Sequence, residues 1–154
     1  MNRRHFLATA AAVPNALAAT AQTAHPGQTH VDSKLGGPAL KSAVVKSKGL
    51  SVDGDAPGAK VKVNFNGPTG QLTALATGAC MLDPGAKPHP PHRHPEEEVM
   101  IIASGTGEFF LEGVTTKVET GDMLYAEANV LHGIVNTGST PMTFYFTKMM
   151  AKKA

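Results

Sequence analysis

The sequence predicts an all-β protein, built as a sandwich or a barrel. Short apolar or alternating runs follow one another, separated at close spacing by Gly, Pro, Asn and Asp. No window of about 11 residues keeps a helical period. With eight or nine short strands, closing one sheet or stacking two is the economical way to protect edges. Patterning alone does not separate those two solutions.

The strands are expected in this order. Leu40–Lys46 is a short apolar run, and Lys60–Asn64 begins KVKVNF, which alternates cleanly. The lysines 41, 46, 48, 60 and 62 are spread among apolar residues, as on the solvent faces of strands. Leu72–Leu82 is the apolar run LTALATGACML, and Glu98–Ala103 follows the Pro- and His-rich stretch. Gly105-Thr106-Gly107 makes a tight turn into Glu108–Leu111, and Thr115–Val118, Asp122–Ala126 and Leu131–Val135 come next. Met142–Lys148 closes the series, with Met142, Phe144 and Phe146 on one face.

The ends stand apart from this pattern. Arg3-Arg4 precedes Phe6-Leu7 and an Ala-rich stretch from Ala8 to Ala19, and A-x-A-like cleavage patterns follow. Residues 1–21 therefore read as an export signal, placing the mature protein in the periplasm or outside the cell. The arginine pair resembles a Tat signal, the alternative being a chance pair in an ordinary Sec signal. Residues 22–38 (QTAHPGQTHVDSKLGGP) read as a flexible leader, ordered only where it docks on the body. His25 and His30 there read as solvated. Residues 39–150 form a single domain, since about 130 residues suit one core.

Charge and cysteine content narrow the classes. The chain has 14 Lys and Arg against 12 acids, and two of the basic residues are Arg3 and Arg4. Without the signal the charge is near zero, and no clustered basic face points to nucleic acid. The one cysteine, Cys80, cannot make an internal disulfide and reads as a small buried hydrophobe.

The stretch from Gly85 to Gly105, GAKPHPPHRHPEEEVMIIASG, carries the chemistry. His92 and His94 are two apart, so on an extended chain both imidazoles point to one side. Glu98 lies four residues further and can face the same way. Two nitrogens and an oxygen on one segment suit a divalent metal with open positions. The body's only other histidines are His132, in a strand-like run, and His89, among three prolines.

These residues resemble the two motifs of the cupin superfamily. The first is Gly85, His92, His94, Glu98 and Gly105; the second is Gly121, His132 and Asn136. Two positions depart from the pattern. The spacer before His92 has one residue more than usual, and Glu127 and Asn129 stand where the family has Pro and a turn Gly. Asn tolerates the left-handed conformation, so Asn129 can keep the turn.

The resemblance implies a single cupin β-barrel of the jelly-roll type. It also implies a metal site on His92, His94, Glu98 and His132, and pairing into a homodimer. Iron or manganese is the favoured ion, with zinc, nickel or copper possible. By the same resemblance the activities are dioxygenation, decarboxylation of small acids, or isomerisation of a small organic molecule. His89 and Glu127 are candidates for general acid or base. The alternative is a periplasmic binding module without turnover.

Met100 and Ile102 share Glu98's face, as Ile134 shares that of His132. Phe65, Phe109 or Phe110, Tyr125, Phe144 and Tyr145 are further candidates for the lining. Glu96, Glu97 and Arg93 read as solvated, and Lys87 as the one base near the loop that can greet an anion.

Overall fold

The computed structural model describes residues 31–53 and 56–153. The export signal and the leader up to His30, with His25, lie outside the described residues.

Eight strands form two antiparallel sheets. They are β1 (Ala59–Gly67), β2 (Leu72–Leu82), β3 (Glu97–Ser104), β4 (Thr106–Leu111), β5 (Val114–Glu119), β6 (Met123–Ala126), β7 (His132–Val135) and β8 (Met142–Ala151). The larger sheet has the order β1-β2-β8-β3-β6 and the smaller β5-β4-β7. The result is the all-β jelly roll, with a core between the sheets centred on Leu82, Ile102, Phe109, Ile134, Met142 and Phe144.

Cross-strand rows show how the sequence grades this core. One row of the larger sheet runs Cys80, Phe144, Ile102, and the next runs Gly78, Phe146, Met100, Leu124. Gly78 is required there, since a Cβ at this position would lie 2.7 Å from the Phe146 ring. The following row is Ala76, Lys148, Glu98, Ala126. Apolar packing thus gives way within two rows to a buried polar pair between two alanines.

Two expectations are corrected. Leu40–Lys46 forms no strand. The edge of β1 that it would need is taken by Asp53, which exchanges backbone hydrogen bonds with Val61 at 2.7 and 3.0 Å. Leu40 only touches the far end of β1, donating to Pro68 O at 2.8 Å, and Val44 stands exposed. The KVKVNF alternation also breaks. A bulge between Val63 and Phe65 shifts the register, so Val61 is buried while Val63 and Phe65 are only half-buried.

The described part of the leader docks. Asn66 donates to Asp32 O at 2.9 Å and accepts from Lys34 N at 2.8 Å. Lys148 donates to the Val31 carbonyl, and Val31 packs on the core.

Candidate metal centre

His92, His94 and His132 are brought together by two elements. The segment before β3 carries the first two, and β7 carries the third. Gly85 opens that segment with a left-handed turn at φ 78°. His92 and His132 then exchange backbone hydrogen bonds at 2.9 and 3.1 Å, which fixes their register. Gly133 allows the approach, because a Cβ there would sit 3.1 Å from Pro91 Cα. Asn129 keeps the turn before β7 at φ 63°, and its N–H donates to His94 O at 2.8 Å. Arg93, exposed as expected, clamps the same turn from outside through Asn129 O and Glu112.

All three imidazoles are buried, and their candidate ligand atoms lie within 4.8 Å of one another. Glu98 adjoins the three histidines, bonded to two of them. Its Oε2 is 3.0 Å from His94 Nε2 and 3.1 Å from His132 Nε2.

The opposite ring nitrogens decide the tautomers. His94 Nδ1 faces Glu96 O at 3.0 Å and His132 Nδ1 faces Val130 O at 2.8 Å. A carbonyl oxygen only accepts, so each Nδ1 carries the proton. Each Nε2 can then face the carboxylate only with a second proton or with a cation between them. That is the donor arrangement a divalent ion needs, with the rings already oriented from behind. The set of three imidazoles and one carboxylate fits iron, manganese or zinc.

Electrostatics agree with a cation-seeking site. Burial works to raise the Glu98 carboxyl, but hydrogen bonds from His132 and His94 overcome it and hold the group well below the usual range. Burial works to lower His94, and its bonds to Glu96 and Glu98 overcome this to raise it.

Glu96 is a correction. The sequence reading leaves it solvated, yet it is buried, with Oε2 3.2 Å from His94 Nδ1. Burial opposes its ionisation, but the His94 bond prevails and its pKa falls to about 2. The signal was present, since His92, His94, Glu96 and Glu98 are spaced by two and share one face. Glu97 is exposed as expected.

A pocket of about 50 Å³ opens above the group, walled by Val61, Met100, Ile134, Phe144 and Phe146. His89 lines its mouth, with its ring centroid 3.9 Å from that of His92. Glu127 is exposed and outside the pocket lining, so no position near a bound ligand supports it as acid or base. Tyr125 and Tyr145 face solvent, against the expectation that they line the barrel. Cys80 lines the pocket, and burial beside the Glu98 charge pushes its thiol up to about 12, which keeps it a neutral hydrophobe.

Sequence reasoning missed Lys148. It lines the pocket, and it is the cationic residue that Lys87, exposed and outside the lining, was expected to supply. The alternation Met142, Phe144, Phe146 continues to Lys148, so the inward face was legible.

A family model described as "Cupin domain" matches residues 78–148, the part of the chain that carries all four expected ligands. Among solved structures, an RmlC-like cupin from Shewanella frigidimarina is 20% identical at a TM-score of 0.60, over 73% of this chain and 95% of that one. KdgF from Halomonas sp. is 19% identical at 0.59, over 73% and 96%. A predicted oxalate decarboxylase from Thermotoga maritima is 20% identical at 0.56, over 70% and 99%. At these identities the likeness is one of fold. The domain match takes in the histidine-bearing segment, and the barrel shares its jelly-roll fold with these solved cupins.

Proposed function

We propose that this protein is an exported metalloenzyme of the periplasm or extracellular space, acting on a small organic molecule by dioxygenase- or decarboxylase-type chemistry. The observation that carries the reading is the convergence of His92, His94 and His132 with Glu98 beneath an apolar pocket. Nε2 of His94 and His132, a ring nitrogen of His92 and the Glu98 carboxylate are the groups that would hold one divalent ion. Iron and manganese are favoured, and zinc, nickel or copper can displace them during purification. When bound, such an ion supplies Lewis acidity, and iron or manganese adds reactivity towards dioxygen.

The chain's own residues do the rest. Glu96 O and Val130 O hold two rings in the tautomer that presents Nε2. The apolar walls exclude water from around the ligand. His89, half-buried and lining the pocket, is the candidate general acid or base. Export rests on residues 1–21. A homodimer is expected from the resemblance, and a monomer mass at micromolar concentration in sedimentation would remove it.

The test is turnover. Signal-free protein loaded anaerobically with iron or manganese is offered small acids and phenols with dioxygen, reading oxygen uptake and carbon dioxide release. Consumption that His132→Ala abolishes supports the reading. Full metal occupancy without consumption of any compound favours the second reading, a binding module. One observation favours that alternative: beyond the ligand set, only Cys80, His89 and Lys148 are ionisable among the lining residues described.

A further inference from the structure

Lys148 sits where an apolar residue would be expected to continue the face of Met142, Phe144 and Phe146. It is 4% exposed and lines the pocket beside His92, Glu98 and His132. It is also the cross-strand partner of Glu98, with Ala76 and Ala126 on either side of the pair. The two alanines leave room for two long polar side chains and shut the row from water. Removing an ammonium from water is costly unless a charge answers it. The acceptor it has is the Val31 carbonyl, supplied by the leader and not by the barrel. A neutral carbonyl is a weaker partner than a carboxylate.

The buried charges around it are few. Glu96 and Glu98 are the two carboxylates that act on Lys148 from inside the site, and Asp32 acts from the exposed leader. A divalent ion on the three histidines is balanced by those two buried carboxylates. Inside the site the charge of Lys148 is then the one left over, answered only by Asp32 from the exposed leader, in a pocket whose remaining walls, apart from His89 at the mouth and the neutral Cys80, are apolar.

We infer that Lys148 sets the ligand class: the pocket takes a small monocarboxylate, whose carboxylate replaces the Val31 carbonyl on the Lys148 ammonium while its apolar body packs against Met100, Phe144 and Phe146. This assignment rests on the metal reading above. A neutral analogue leaves the ammonium without its counter-charge, and a second carboxylate would lie against apolar wall.

The test uses signal-free protein loaded with zinc, which is redox-inert. Isobutyrate and its neutral isostere isobutyramide are titrated calorimetrically into wild type and Lys148→Met, with zinc content and circular dichroism measured on each. Wild type is expected to bind isobutyrate about tenfold or more tighter than isobutyramide, the range of a charge-assisted hydrogen bond. Lys148→Met is expected to lose that preference with zinc content unchanged. Equal binding of the two ligands by zinc-loaded wild type overturns the inference, as does a Lys148→Met protein that keeps the preference. Should Lys148→Met fail to fold, Lys148→Gln takes its place, and equal binding of the two ligands by wild type still overturns the inference. A wild type that holds no zinc overturns the metal reading and this assignment with it, and the zinc content shows which of the two has failed.

Discussion

Asn136 offers a quantitative test of how the site is held. It is fully buried, at 0% exposure. Its amide donates to Leu82 O at 3.0 Å and to Thr140 O at 2.9 Å, and its Oδ1 accepts from Gly138 N at 2.9 Å. Its backbone meets Gly85 N and Ala86 O at 2.9 and 3.0 Å. The side chain therefore ties the end of β2 to the turn into β8, and the backbone of the same residue holds the start of the histidine segment.

Asn136→Ala keeps the backbone bonds and removes the three side-chain bonds. Leu82 O is left in a fully buried position, a loss of about 2 kcal/mol, and Gly138 N in a half-buried one, about 1 kcal/mol. Thr140 is exposed and can turn to water at little cost. The sum is about 3 kcal/mol, a large share of the usual stability of about 5–15 kcal/mol. With a urea slope of about 2 kcal/mol/M, the midpoint of the metal-free protein should fall by about 1.5 M. Equilibrium urea unfolding followed by circular dichroism reads this directly. A fall under about 0.5 M, roughly 1 kcal/mol, would refute the claim that the Asn136 side chain joins the end of β2 to the turn into β8.

Three further outcomes follow from the same geometry. Gly78→Ala drives a Cβ into Lys62 O and to 2.7 Å from the Phe146 ring, so thermal unfolding should show a loss of about 2 kcal/mol or more; an unchanged melting temperature contradicts the packing described. Glu96→Ala removes the carboxylate 3.2 Å behind His94, and competitive chelator titration should show metal affinity lower by about tenfold or more, whereas a purely solvated Glu96 predicts no change. The metal-free protein should melt highest between pH 4.5 and 6.5, the ordinary values of Glu and His. Glu96 and Glu98 are lowered on folding, so their contribution is complete above 4.5 and is lost as pH falls through their folded values. His94 is raised, so its contribution is complete below 6.5 and is lost as pH rises through its folded value. A melting temperature that climbs steadily from pH 5 to 8 contradicts these assignments.

The barrel was legible because its punctuation is covalent in origin. Gly85 and Gly105 stand where φ is 78° and 87°, and β2 runs from Leu72 to Leu82 as its apolar run does. His92, His94 and Glu98 could be grouped because their spacing obeys the strand period, whereas His132 joined them through the resemblance of its segment to the second motif. What failed was non-local. Nothing in LKSAVVK says that Asp53 will occupy the edge of β1 first. Nothing in KVKVNF announces the bulge after Val63. Tyr125 and Tyr145 show another limit, because an aromatic on a strand packs equally well on the outer face of a sheet. Glu96 and Lys148 are a different case. Both lie in phase with residues already placed inside; the motif position fell to Glu98 and not to Glu96, the face of Met142, Phe144 and Phe146 was not followed on to Lys148, and burial tolerates both charges once partners are present.

The claim on which the account rests is that three histidines and Glu98 hold one metal ion. The direct measurement is metal content per chain of signal-free protein, wild type and His92→Ala, purified anaerobically without a metal-binding tag. The account predicts about one divalent ion in wild type and a loss of it in the variant, given a site of one ion with four protein ligands. Wild type that is metal-free and also refuses added iron, manganese, zinc and nickel would contradict it.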